Sequence, residues 1–456
     1  MIMDEVLSRF VEGCPVAVMA RLGLDHVLNK EWVNETFEQH RQDQYTRELL
    51  FSTVVDTMSL VATGQRPSLN AAIQKNRDLT VSTTALYDKV NHTEPAVIQA
   101  LVRGSAERLG PIVVSLNPKR PPVLPGYQVR IIDGNHLPAS EKRLGVLRNF
   151  RGAALPGHSL VVYEPDLGLV TNLVPCEDAH AQERNLSNRL FADAQPGELW
   201  MGDRNFCTRI AMIAVNGRES FFVFREHATT NPTPVGRRRK MGRTDTGVVY
   251  EQDVEIPTED GKGLLIRRIE IELDSPATDG DAVIRLLTNL PLKIRAKKIA
   301  NLYRQRWSIE GMFGKLEAAL NSEIRTLGYP RAALLAFGCA VIAYNVLSLI
   351  ETAIASVHDL SSAGIELSTY HIADEIKSTY RGMMLAIAAA AWDHLRTDNP
   401  NKFARTLQFI AKQVDPHTLR KRPRGPKLKR PKGYASSAAV HKHVATARVL
   451  RDGRIK

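Results

Sequence analysis

The chain has 456 residues, 43% of them hydrophobic and 24% charged, with a net charge of +12. That length calls for two to four domains, and the apolar content is that of a globular chain rather than a disordered one. Four scattered cysteines (Cys14, Cys176, Cys207, Cys339) with no CxxC pattern exclude a disulfide framework and a zinc site as the organising principle. The pairing of Cys176 with His180 is read as chance. No charged start followed by an apolar run marks a signal peptide, so a cytoplasmic protein is expected.

Residues 1–116 read as a helical N-terminal domain. Within it, Ser68–Asn76 and Asp78–Lys89 suit a helix-turn-helix that would present Ser82, Thr83, Thr84, Tyr87 and Lys89 to a groove or backbone. Short helix pairs of this kind also occur in any helical domain. The stretch Asn117–Pro125, with four prolines, predicts a rigid linker. Beyond it strand patterns follow at Val129–Asp133, Ser159–Tyr163, Leu167–Val174, Leu199–Asp203 and Phe221–Phe224, with helices over Ala181–Ala194 and Thr208–Val215. Three consecutive strands and then alternation with helices is an α/β layout, covering 126–224. From 225 to 289 the pattern changes to alternating strands, including Gly247–Val254 and Leu264–Leu273, and predicts a β-rich insertion. Its Arg237, Arg238, Arg239 and Lys240, with Arg243, form a basic cluster that suits either a solvated loop or a DNA-gripping tip.

Residues 290–400 read as the remainder of the core with C-terminal helices. Ala332–Ile350 is nineteen residues without a charge, near the lower limit for a membrane span. Gly338, Tyr344, Asn345 and Ser348 within it argue for a buried helix, and no membrane is expected. The final segment, 401–456, reads as a basic arm. Arg420 to Lys456 holds thirteen Lys or Arg against one acid, Asp452, and the rest of the chain is balanced. A Pro/Gly-punctuated cationic run cannot build a core and would track phosphate backbones by counterion release, or serve only to keep the chain soluble.

The chemistry concentrates in three places. Tyr303, Arg306 and Glu310 have offsets of three and four and would share one helix face, pinned by Ile299, Leu302, Ile309, Phe313, Leu316 and Leu320. A carboxylate can hold a metal, a guanidinium can grip a phosphate and a phenol can donate to another phosphate oxygen. The same trio also suits a plain solvated Arg306–Glu310 ion pair. Upstream, Tyr127–His136 predicts a strand that ends at Asp133 and turns at Gly134, and Glu198–Phe206 repeats the design with Asp203. Asp166 and Asp193 lie near Pro or Gly outside strands and read as turn residues. Two strand-end aspartates and a helix glutamate could hold two divalent cations for in-line phosphoryl displacement.

These residues resemble a DDE transposase of the IS-four insertion-sequence family, whose marker on the last catalytic helix is Y-x2-R-x3-E-x6-K. Tyr303, Arg306 and Glu310 match it, as does the setting of Trp307 and Ile309. Leu287–Pro291, Asp203–Phe206 and Asp133–Gly134 also look familial, and the likeness runs from about Gln128 to Leu349. One position departs: the family's lysine falls at 317, where this chain has Glu317. Lys315 would point about 140° away around the helix and cannot substitute, whereas Lys298 could.

The resemblance implies a ribonuclease-H-like catalytic core with a β-rich insertion, preceded by a helical DNA-binding domain and followed by a basic tail. It implies a metal-dependent transposase that cleaves element ends and joins them to target DNA. Asp133, Asp203 and Glu310 would be catalytic and hold two Mg²⁺ or Mn²⁺ ions. Tyr303, Arg306 and Trp307 would contact double-stranded DNA, and the protein would act as a homodimer in a synaptic complex. An aromatic from the insertion that assists a hairpin step would have to be Tyr250 or Phe224. The rival readings are a catalytically silent DNA-binding regulator, for which Glu317 speaks, a nuclease that does not transpose, and a carboxylate-pair hydrolase acting on sugars.

Overall fold

A computed structural model describes residues 4–46, 48–74, 81–117, 121–137, 150–152, 158–177, 181–258, 261–277, 280–324, 326–422, 425 and 442–444. The expected turn of the helix-turn-helix, part of the linker and most of the basic arm lie outside these residues.

The N-terminal part is helical: α1 (Glu5–Gly13), α2 (Pro15–Val27), α3 (Lys30–His40), α4 (Phe51–Ala62), α5 (Leu69–Ile73), α6 (Thr83–His92) and α7 (Pro95–Leu116). Side-chain caps start several of these helices. Asp4 accepts from Val6 and Leu7, Asn29 from Trp32, and Ser82 from Ala85, each satisfying an orphan helix donor. Lys89 is not presented to a groove as expected. It is buried, donates to the Tyr45 carbonyl at 2.8 Å and stands 4.0 Å over the Phe37 ring. Position 89 falls on the inward face of α6 with Leu86 and Val90, so its ammonium must find its partners inside. Ser82, Thr83 and Thr84 are exposed.

The middle of the chain carries β1 (Gln128–His136), β2 (Phe150–Gly152), β3 (His158–Glu164), β4 (Leu169–Cys176), α8 (Glu183–Ala192), β5 (Glu198–Gly202), α9 (Arg209–Gly217) and β6 (Phe221–Arg225). It continues with β7 (Thr233–Pro234), β8 (Arg239–Thr244), β9 (Gly247–Ile256), β10 (Leu264–Leu273) and β11 (Val283–Thr288). One sheet runs in the order β4-β3-β1-β5-β6-β11-β10-β9-β7, with β8 also on β9. β1, β3 and β4 pair antiparallel, β5 and β6 run parallel to β1, and β11, β10 and β9 extend the sheet antiparallel. The insertion is therefore a continuation of the central sheet through β6–β11 pairing.

β1 does not end at Asp133. Pairing with β3 continues through Gly134↔Leu160 to His136↔His158, so Asp133-Gly134 is strand rather than tight turn. Alternate residues of the strands face two cores. Val129, Ile131, Leu199, Met201 and Val223 join the large core of N- and C-terminal helices, while Ile132, Trp200, Phe222 and Phe224 pack with α8 and α9.

The C-terminal part comprises α10 (Ala296–Arg304), α11 (Ser308–Ala319), α12 (Pro330–Val357), α13 (Thr369–Ala386), α14 (Pro400–Ala411) and β12 (Lys442–Val444), which pairs parallel with β2. α12 is long and apolar enough to cross a membrane, yet its most apolar window is wholly buried. Its polar residues explain why it sits against the sheet. Asn345 accepts from Val170 N at 2.8 Å and donates to Val170 O at 2.9 Å, and Ser348 donates to Gly168 O at 2.7 Å. Among the described residues β4 has no strand neighbour on its outer side, and these bonds satisfy backbone groups in and just before it. α14, counted with the basic arm in the sequence, is a core helix, because Phe403, Leu407 and Ile410 at helical spacing are buried. The α7 and α14 helices pack with α12 in the same core, so packing runs across the expected boundary at 117–125.

Candidate active site

The register of β1 and β5 brings the first two carboxylates together. Ile131 pairs with Met201 in parallel alignment, so Asp133, within β1, and Asp203, one residue past the end of β5, each lie two residues beyond a level pair. Parallel neighbours run about 4.8 Å apart. Each aspartate also fixes its own backbone. Asp133 Oδ1 accepts from the N–H of Gly134 at 2.9 Å, and Asp203 Oδ1 caps the 3-10 turn Arg204–Phe206 by accepting from Asn205 N at 2.8 Å.

Glu310 arrives from the opposite part of the chain, in the first turn of α11. The helix expected to carry Tyr303, Arg306 and Glu310 on one face is interrupted by a 3-10 turn at Gln305–Trp307, which separates α10 from α11. Arg306 lies in this turn. Its guanidinium bridges two of the three acids, at 3.2 Å from Asp133 Oδ2 and 3.3 Å from Glu310 Oε1. Its side chain is only 12% exposed, and Nε is buried without a hydrogen-bond partner. The guanidinium is thus buried between two carboxylates with its Nε–H left unpaired.

The segment before α10 is held as firmly. Arg267 on β10 is buried, pairs with Glu251 at 2.7 Å and donates to the carbonyls of Leu290, Pro291 and Ile294 at 2.9, 3.0 and 2.9 Å. Asn289 donates to Ser220 O at 2.9 Å and accepts from Phe222 N at 2.9 Å. The Leu287–Pro291 motif thus anchors the approach to the glutamate helix on β6 and β10.

Electrostatics follow from this packing. Burial pushes the Asp133 carboxyl up to about 6; Arg306 opposes the rise, and the charges of Asp203 and Glu183 add to it. Burial likewise pushes the Tyr303 phenol up to about 12. Arg306 is held above its ordinary value: burial works against its charge, but Tyr303, Asp133 and Glu310 outweigh that. Among the described residues no three His, Cys, Asp or Glu side chains converge on one metal position. The donors are nonetheless the all-oxygen set that Mg²⁺ or Mn²⁺ takes, and Arg306 already occupies a cation's place between Asp133 and Glu310. The donor chemistry is thus that of a divalent-ion site, while the Arg306 guanidinium holds the place between two of the acids.

The other expected contact residues divide. Tyr303 is buried, with its phenol in the field of Arg306 and Asp203. Trp307 is 57% exposed beside the Arg306 guanidinium, 5.8 Å from its ring. Glu317 is exposed, and Lys315 is tied to Glu351 at 2.8 Å. In the insertion the basic cluster is largely neutralised. Arg238 pairs with Glu270 and Glu272 at 2.6 Å each, Arg239 with Asp253 at 3.2 Å, and Arg243 with Asp274. Arg237 and Lys240 are exposed. The cluster lies alongside α10, where Arg304 meets Asp245 at 3.6 Å. Neither aromatic considered for a hairpin step stands open: Phe224 is fully buried, and Arg238 covers the Tyr250 ring at 3.4 Å.

Two features escaped the sequence. A cavity of about 250 Å³ beside Asp203 is lined by Arg184, Arg204, Arg209, Asn205, Thr208 and His227, among others. Glu183, at the start of α8, reaches the same end of the sheet, where Asn205 Nδ2 donates to its Oε2 at 3.2 Å. Only its position in the first turn of a helix distinguishes it in sequence.

Residues 124–346 match the family model of the transposase DDE domain. A protein named "Putative transposase y4zB" from Sinorhizobium fredii (strain NBRC 101917 / NGR234) is 27% identical over 225 residues. That alignment covers 48% of this chain and 60% of the relative, so the chain spans less than two thirds of the relative's length. Residues 124–346 are thus similar in sequence to a transposase DDE domain.

Proposed function

We propose that this chain is a transposase that cleaves phosphodiesters at the ends of an insertion sequence and transfers the freed strand into target DNA. The observation that carries this reading is the placement of Asp133 and Asp203 two residues beyond a level pair of parallel β1 and β5, with Glu310 tied to Asp133 through Arg306. The core is read as ribonuclease-H-like. Its support is the strand order β4-β3-β1-β5-β6, antiparallel across β4-β3-β1 and parallel across β1-β5-β6.

Asp133, Asp203 and Glu310 would hold two divalent cations, Mg²⁺ or Mn²⁺, which supply charge stabilisation and an activated oxygen nucleophile. The chain's own residues do the rest. Water attacks the end phosphate, a new P–O bond forms, and the bond to the 3′-oxygen breaks to leave a 3′-hydroxyl. That hydroxyl then attacks a phosphate of the target and expels its 3′-oxygen. Arg306, released from Asp133 and Glu310, places its fork on the phosphate. Buried Tyr303 holds the guanidinium in place from behind, and Trp307 offers a face for a displaced base. The cavity with Arg184, Arg204 and Arg209 extends a cationic track beside Asp203. Binding of element ends is assigned to the N-terminal helices through exposed Ser82, Thr83 and Thr84. Sequence-blind contacts are assigned to Arg237, Lys240 and the tail, and the working unit to a homodimer in the cytoplasm.

The test is cleavage and strand joining on DNA carrying the element's ends, with Mg²⁺ against EDTA, wild type beside Glu310→Gln. Metal-dependent joining that the variant lacks is the expected result. Tight end binding with no chemistry in any metal would favour a silent regulator instead, a reading for which exposed Glu317 in the lysine position speaks.

A further inference from the structure

Four separate elements bring positive charge or N–H donors to the cavity beside Asp203. Arg184 comes from the first turn of α8, Arg204 from the 3-10 turn after β5, Arg209 from the start of α9 and His227 from the loop after β6. No acid is among the described residues that line the cavity. The fold itself gathers these residues. α8 packs on α9 and on the 3-10 turn, and Leu190, Phe191, Met212 and Val215 seat both helices in one core.

The lining is built to donate. Thr229 N–H donates to His227 Nδ1 at 3.2 Å, which leaves the ring proton on Nε2. Burial pushes the Cys207 thiol up to about 11, so it adds no negative charge at neutral pH. The acids of the adjoining segments are already engaged. Asp281 is shared by Arg204 at 3.2 Å and Arg225 at 2.6 Å, and Glu226 is held by Arg268 at 2.7 Å. One carboxylate between two guanidinium groups leaves a positive excess. Arg184 and Arg209 are exposed and meet no acid among the described residues. A single exposed arginine is ordinary surface, but like charges gathered around one hollow repel, and an anion relieves that repulsion. Guanidinium forks match the oxygens of a phosphate. The cavity, at about 250 Å³, has room for a phosphate group and several waters of roughly 30 Å³ each.

We propose that this cavity is an anion site that holds a phosphate group of the DNA other than the one that reacts. Assigning the phosphate to DNA rests on the transposase reading above; the preference for an anion does not. Cleavage leaves a 5′-phosphate on the departing strand, and an internal phosphodiester offers the same unesterified oxygens. Arg184 and Arg209 are the binding residues, and Asp281 positions Arg204 between them and the sheet.

The experiment uses the full chain without metal. Binding of a short single-stranded DNA, with and without a 5′-phosphate, is followed by fluorescence anisotropy, alongside thermal melting in inorganic phosphate. Arg184→Gln combined with Arg209→Gln is compared with Arg381→Gln combined with Arg405→Gln, an equal loss of charge at exposed positions of α13 and α14. The first pair should bind DNA about 10-fold or more weakly and lose the phosphate-induced rise in melting temperature, while the second stays within about 2-fold of wild type. Tighter binding of 5′-phosphorylated DNA that the first pair abolishes assigns the site to a strand end. Equal affinities for the two DNAs, both lowered by the first pair, assign it to an internal phosphodiester. Equal losses in the two pairs, or none in the first, overturn the site. A chain that keeps the phosphate response but cuts no element end in Mg²⁺ or Mn²⁺ overturns the transposase reading and leaves the anion site standing. Should the first pair fail to fold, Arg209→Gln alone decides by the same readouts.

Discussion

Replacing Asp133 with Asn should make the metal-free protein more stable. The Asp133 carboxyl titrates near 6 in the fold instead of at its ordinary 3.8. Between those values the folded state binds more protons than the unfolded one, so stability falls as pH rises through about 4 to 6. The difference corresponds to about 3 kcal/mol at neutral pH, an upper figure because part of the carboxylate still meets solvent. Asparagine keeps the shape and removes the charge. Urea denaturation in EDTA at pH 7.5 should therefore show Asp133→Asn more stable by about 1–3 kcal/mol, with the gap closing near pH 4. Adding Mg²⁺ should stabilise wild type, by about 1.4 kcal/mol at ten times its dissociation constant, and leave the variant unmoved. A variant equal to or weaker than wild type at pH 7.5 without metal would refute the reasoning, because the Arg306 pairing would then outweigh burial and acid crowding.

Arg267→Met should cost about 3–5 kcal/mol, since it leaves buried Glu251 unpaired, and adding Glu251→Leu should recover much of the loss in the same denaturation assay. Trp307→Ala should leave the melting temperature nearly unchanged because the ring is exposed, yet weaken binding to single-stranded end DNA by about 1–3 kcal/mol in fluorescence titrations. Deleting Arg420–Lys456 should weaken duplex binding and flatten its dependence on salt; an unchanged slope would mean the tail does not meet DNA.

The strands beside Asp133 and Asp203 were legible in the sequence because a hydrophobic run describes a buried strand whatever surrounds it. The same logic misread Gly134. Glycine after aspartate usually signals a turn, and only the pairing of Gly134 with Leu160 of β3 shows that the strand passes through it. Tyr303, Arg306 and Glu310 stood out by spacing, but the 3-10 turn that holds Arg306 between α10 and α11 leaves no trace in that spacing. Charge misled twice. Lys89 looked like a DNA contact until its place on the inner face of α6 was seen, and the insertion's arginines looked free until β9 and β10 brought their acids alongside. In α12 the polar Asn345 and Ser348 were correctly informative, because a buried amide needs a partner and a strand edge supplies one.

The burial of α12 has a bearing on how the chain must be made. This helix has a mean hydropathy of 2.2 over its most apolar stretch, and its cover comes from both ends of the polypeptide, α2, α4 and α7 on one side and α14 on the other. A product that lacks α2, α4 and α7, or that ends before α14, would display that greasy surface to water. Such fragments would be expected to aggregate or stray to lipid. Only a chain that carries both sets of helices hides what lies at its centre.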